Sequence, residues 1–82
     1  MHLEKGKYYE ITVLTTQRPT YNLIVKVVEC ELDWVGIEVI KDLDTKTNVA
    51  MYSRGKQFFW SDTDFKVLRE VPDNELTLYL LE

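Results

Sequence analysis

Apolar and polar side chains alternate at every second residue through most of this chain, and that period belongs to strands rather than helices. In Trp34 to Lys41, Val35, Ile37 and Val39 alternate with Gly36, Glu38 and Ile40. The β-branched content of this run argues further against a helix, because branched side chains lose rotamer freedom there. In Tyr8 to Thr15, Tyr9, Ile11 and Val13 fall on one face while Glu10 and Thr12 fall on the other, which predicts a half-buried strand. Tyr21 to Cys30 differs. Leu23, Val25 and Val27 share one face, but Ile24 and Val28 make the opposite face apolar too, so a long, bent strand shared between two sheets and covered on both sides for part of its length is expected.

Turn-forming residues separate these runs. Gln17-Arg18-Pro19-Thr20 interrupts the first two, since proline lacks an amide donor and fixes its own φ. Glu31-Leu32-Asp33 is a short link. Asp42 to Asn48 predicts a hairpin loop, followed by a brief strand at Val49 to Tyr52 and a turn at Ser53-Arg54-Gly55. Lys56 to Trp60 resumes as a strand, and Ser61-Asp62-Thr63-Asp64 has room for a single helical turn. Phe65 to Val71 is the last clear strand. In the tail, residues 72–82, Leu76, Leu78 and Leu80 alternate, which favours an extra strand over a short helix.

The chain has 82 residues, 45% of them apolar, which fits a single domain over 1–82 with residues 1–7 as a lead-in. No apolar run approaches the roughly 20 residues that a membrane helix needs, and no secretory leader is expected. The formal net charge of −4 repels phosphate backbones, so binding to extended duplex DNA is not expected. Cys30 is the only cysteine. It cannot form an internal disulfide, and it is expected to be a buried apolar filler in a cytoplasmic protein, a reactive thiol being the alternative.

Catalysis needs a nucleophile, a base and an orienting group within reach, and the only histidine is His2, at the start of the chain. Glu29 and Glu31 flank Cys30 and disfavour its thiolate. Neither a glycine-rich phosphate loop nor a paired Cys or His spacing occurs. Three carboxylate pairs stand out: Glu29 with Glu31, Asp42 with Asp44, and Asp62 with Asp64. Asp42-Leu43-Asp44 lacks the glycine and terminal glutamate of a calcium loop, so solvated turn carboxylates are expected, with Asp62 and Asp64 as helix-start residues that complement unpaired amides. The expectation is therefore no enzyme, no cofactor and no metal. Lys5 and Lys7 around Gly6, Arg18, and Arg54 and Lys56 around Gly55 form local basic clusters. With Tyr8, Tyr21, Tyr52 and Trp60 nearby, they offer either ordinary strand edges or a base-stacking platform.

The order of lead-in, short curved strands and one helical turn before the last strand resembles the SH3-like small barrels, and among them the Sm-like proteins. The likeness is carried by Leu3-Glu4-Lys5-Gly6-Lys7-Tyr8-Tyr9, by the tight passage from Tyr21–Cys30 to Trp34–Lys41, and by Phe58-Phe59-Trp60-Ser61-Asp62 before Phe65-Lys66-Val67-Leu68. It implies an all-β, strongly bent barrel of five or six strands with at most one short helical turn. It also implies single-stranded RNA binding in oligomeric rings, through an asparagine after the second strand and an Arg-Gly pair. Here Asp33 stands at the first position, and Arg54-Gly55 resembles the second.

The expected function is a non-catalytic, self-associating binding module for a short single-stranded RNA, a nucleotide or a peptide. Tyr21, Asp33, Trp34, Arg54, Gly55, Lys56 and Trp60 are its expected ligand-binding residues. Leu76, Leu78 and Leu80 are expected at a homo-oligomer interface. The alternative is a small acidic inhibitor or decoy of viral or mobile-element type, which blocks a host nucleic-acid or signalling protein.

Overall fold

A computed structural model describes residues 3–14, 21–43 and 54–81. The alternating segments become five strands: β1 (Tyr8–Val13), β2 (Tyr21–Cys30), β3 (Val35–Asp42), β4 (Gln57–Trp60) and β5 (Phe65–Glu70). They form one antiparallel sheet in the order β4-β3-β2-β1-β5. The expected strand at Val49 to Tyr52 and the break at Gln17 to Thr20 lie outside the described residues.

Register decides which residues meet. Ile11 pairs with Leu23, Val25 with Val39 and Val27 with Ile37, so the apolar positions of three central strands share one face. With Leu3, Tyr9, Val13, Val35 and Phe65 they form the main core, against which Phe58, Trp60 and Val67 pack from the two outer strands. Burying each such aliphatic side chain contributes about 1.5–3 kcal/mol. Among the described residues β4 and β5 are the two outer strands of the sheet and do not pair with one another, so the described sheet is not closed. The 61–64 turn joins them, closed by the Asp64 amide on the Ser61 carbonyl at 3.0 Å, and it brings the Trp60 and Phe65 ring centroids to 6.1 Å.

Two glycines shape the sheet in the same way. Gly6, at φ 88°, donates its amide to the Val27 carbonyl, and the Val27 amide donates to the Lys7 carbonyl. Gly55, at φ 92°, donates to the Val39 carbonyl, and the Val39 amide donates to Lys56. In both cases two residues oppose one valine, a bulge whose first position requires positive φ and so favours glycine. The two basic-Gly-Lys stretches are thus corners of the backbone.

The opposite face of β2 is also covered, as its second apolar row implied, but by a helix rather than a second sheet. Helix α1 (Asp73–Leu80) lies over Ile24, Ile40 and Val71, and its Leu76 completes this smaller cluster with Tyr8, Leu43 and Tyr79 at its margin. This corrects two expectations, the extra strand at 72–82 and the limit of one helical turn. Leu76 and Tyr79, three residues apart, share a helical face, whereas a strand would have needed a partner for Leu76, Leu78 and Leu80 together. Asp73 and Glu75 in the first turn complement the amide end, and the amides of Glu75 and Leu76 both donate to the Pro72 carbonyl. Cys30 is a further correction: it is exposed, because it is the last residue of β2, where the main core ends.

Candidate functional site

The link between β2 and β3 is closed by the Glu31 amide donating to the Trp34 carbonyl at 2.9 Å. So tight a link turns its side chains outward, and Leu32 is 97% exposed. Beside it lies a recess of about 270 Å³ bordered by Glu31, Asp33, Trp34 and Asp62, with Cys30, Leu32 and Val35 completing the lining. Among the described residues three carboxylates and no cation line this recess, and none of the three makes a side-chain hydrogen bond or ion pair. The field inside it attracts cations and repels phosphate.

An aromatic pair adjoins the recess. The Trp34 ring meets Phe59 edge-on, with centroids 5.2 Å apart at 87°. Phe59 lies over Gly36, where an added Cβ would stand 3.1 Å from its Cε1, and the ring is still 67% exposed. Exposed aromatic and leucine surface next to unpaired carboxylates suits a ligand with both apolar and cationic parts.

Of the residues expected to bind ligand, Asp33 and Trp34 come together here and the others do not. Trp60 stacks on Phe58 at 5.0 Å and packs against the main core. Gly55 and Lys56 sit opposite Val39, five residues along β3 from Trp34, or about 17 Å at the usual strand rise. Arg54 is engaged structurally: its guanidinium donates to the Ile40 carbonyl and to two carbonyls at the end of α1. The side chain of Tyr21 lies outside the described residues. Among the expected interface residues, Leu76 is buried within the chain itself, while Leu78 and Leu80 are exposed. Glu31, Leu32, Phe59 and Asp62 join the recess and its margin beyond the residues expected from the sequence; the one sequence signal is an apolar residue between two acids in a three-residue link.

A second recess, also about 270 Å³, is lined by Lys5, Gly6, Lys26, Val27 and Val28, with no carboxylate among the described residues. Lys26 stands 5.8 Å from the centroid of the Tyr8 ring. Neighbouring Lys7 is paired with Glu4 at 3.4 Å and Glu70 at 3.5 Å, and these carboxylates raise its pKa. A separate network ties α1 to the sheet. Arg69 of β5 donates to Glu10 of β1 at 2.8 Å and grips both carboxylate oxygens of Glu75, whose Oε1 also accepts from the Tyr79 hydroxyl at 3.0 Å. The Arg69 hydrogen bonds hold the Glu75 carboxyl below its ordinary value, and the bond to Glu75 pushes the Tyr79 hydroxyl up.

The Cys30 thiol donates to the Leu3 carbonyl at 3.4 Å. Among the described residues no group of three His, Cys, Asp or Glu side chains is arranged to hold a metal ion, and no helix is long and apolar enough to cross a membrane. Comparison of the chain with protein-family models, with curated proteins and with solved structures finds no match in any of the three.

Proposed function

We propose that this chain is a non-catalytic binding module on a small SH3-like barrel, and that its ligand is a short peptide carrying lysine or arginine beside apolar side chains. The observation that carries the reading is the β2–β3 recess: Glu31, Asp33 and Asp62 without counter-cations, bordered by Trp34 and the projecting Leu32. The barrel part of the reading is supported by the strand order, with β4 and β5 brought together at the 61–64 turn and both packed on the same core. RNA is the less favoured ligand at this recess, because three carboxylates within a Debye length of about 8 Å oppose every phosphate that enters. Catalysis is disfavoured because the recess pairs no nucleophile with a base: the Cys30 thiol faces a main-chain carbonyl. Self-association through the outer strands of the described sheet, β4 and β5, belongs to the same reading.

Fluorescence polarisation with short labelled peptides tests the ligand. Peptides with Lys or Arg beside Leu are expected to bind saturably, more weakly at high salt, and to lose affinity when Asp33→Asn and Asp62→Asn are combined. Uridine- or adenosine-rich oligonucleotides that bind while every cationic peptide fails would overturn it. A pull-down that recovers one host protein stoichiometrically, with no peptide affinity, would replace it with the inhibitor reading.

A further inference from the structure

We infer that the sheet carries an arginine subsite beside the recess, where a guanidinium of the ligand stacks on Phe59 and its donors meet the Glu29 carboxylate. This rests on the peptide-binding reading above and names the cation. The face that α1 covers at Ile24 and Ile40 runs on past the helix, since Glu38 and Gly36 follow Ile40 at alternate positions of β3. Two cross-strand rows lie there: Glu29, Gly36 and Phe59 in one, and Lys26, Glu38 and Gln57 in the next.

Gly36 lets the two ends of the first row approach each other. A Cβ at Gly36 would stand 3.1 Å from Phe59 Cε1 and 3.3 Å from Glu29 Cβ, so the aromatic ring and the stem of the carboxylate border the same point. The exposed Phe59 ring is held by its edge-on contact with Trp34. Trp34 in turn lines the recess, so one indole adjoins both places. Glu29 is exposed and, among the described residues, makes no side-chain hydrogen bond or ion pair, whereas Glu38 in the next row accepts from the Gln57 amide at 3.2 Å. The cation of these rows, Lys26, stands 5.8 Å from the centroid of the Tyr8 ring. A guanidinium suits a ring beside a carboxylate better than an ammonium does. It is planar and weakly hydrated, so it can lie on the ring while the N–H groups at its edge bond the carboxylate; the compact ammonium holds its water more tightly.

Two peptides on one leucine-containing host sequence test this, identical except that their cations are all lysine or all arginine. The arginine peptide is expected to bind the unaltered chain about fivefold more tightly. Phe59→Leu keeps an apolar side chain but removes the ring, and it is expected to bring the two peptides to equal affinity with little change for the lysine peptide. Glu29→Gln, at an exposed side chain with no partner among the described residues, is expected to shrink the preference. Equal affinity of the two peptides for the unaltered chain would overturn the arginine subsite and leave the cationic-peptide reading standing, as would an arginine preference that either substitution leaves unchanged. Failure of both peptides to bind would overturn both.

Discussion

Arg54 Nη2 donates to the main-chain carbonyl of Tyr79 at 2.5 Å, while Nη1 reaches the Leu80 carbonyl at 3.4 Å and Nε the Ile40 carbonyl at 2.8 Å. Helix α1 has no basic residue in its own last turn, so the cation that complements its carbonyl end is borrowed from the corner before β4. One side chain thereby joins the β3–β4 corner, the middle of β3 and the end of the helix. A guanidinium suits the task because its donors form a planar fork that can serve three acceptors at once.

Replacing Arg54 is therefore expected to loosen the helix before the sheet. Arg54→Ala should cost about 1 kcal/mol and speed amide exchange over residues 77–81 with little change in β2 and β3. Arg54→Lys should recover only part of the protection, since an ammonium cannot reproduce the fork. Native-state hydrogen exchange distinguishes the two variants, and equal protection in all three proteins would count against the latch.

The two apolar clusters should respond differently to truncation. Ile37 and Ile24 are both fully buried, but Ile37 belongs to the main core and Ile24 to the cluster beneath α1. Each truncation to alanine removes about 2–5 kcal/mol, against a total of about 4–12 kcal/mol expected for 82 residues. Ile37→Ala should lower the denaturation midpoint of the whole chain. Ile24→Ala should also weaken α1 selectively, so that helical circular dichroism at 222 nm, a wavelength set by convention, falls before the near-ultraviolet aromatic signal.

The three glycines should fail for two different reasons. Gly6→Ala and Gly55→Ala meet no atom within 4 Å, yet each forces a left-handed φ on alanine and is expected to cost about 1–2 kcal/mol. Gly36→Ala is different, since its Cβ would stand 3.1 Å from Phe59 Cε1 and 3.3 Å from Glu29 Cβ. That variant should displace the exposed Phe59 ring and alter Trp34 emission at a cost of about 1 kcal/mol. Unchanged Trp34 emission in Gly36→Ala would show that the ring does not rest on this glycine.

Acid should release the contact between Arg69 and Glu75. The folded carboxyl of Glu75 titrates below its ordinary value of 4.5, so the contact stabilises the fold above that pH and is lost as the pH falls through the depressed value. Tyr79 has the opposite sense: its pKa is raised above 10.0, so its bond to Glu75 is present below that pH and disappears as the pH rises through the raised value. Carbon-detected titration of Glu75 is expected to move up toward 4.5 in Arg69→Gln. No movement would break the assignment of Arg69 as the main cause.

The strands were legible because a period of two survives in the residues themselves: Val35, Ile37 and Val39 had to share a face wherever they paired. The double cover of β2 was legible too, in Ile24. The tail was not, because Leu76, Leu78 and Leu80 satisfy a strand as well as Leu76 and Tyr79 satisfy a helix, and the choice was made by a groove formed from Ile24, Ile40 and Val71 in three other places. Arg54 misled for a related reason. A basic residue before glycine reads the same whether its charge faces a ligand or a helix end, and only the fold reveals the carbonyls of Tyr79 and Leu80. The recess at Asp33 and Trp34 was half visible, but its third acid, Asp62, arrives from a turn 29 positions away that sequence spacing does not connect to it.

The paired glycine bends opposite Val27 and Val39 carry a lesson for anyone who would remodel this molecule. Because curvature is written into main-chain torsions at two points, the outward-facing rows between them are open to rewriting without loss of shape. A library that holds both bends fixed and varies the exposed rim would sample new specificities on an unchanged frame.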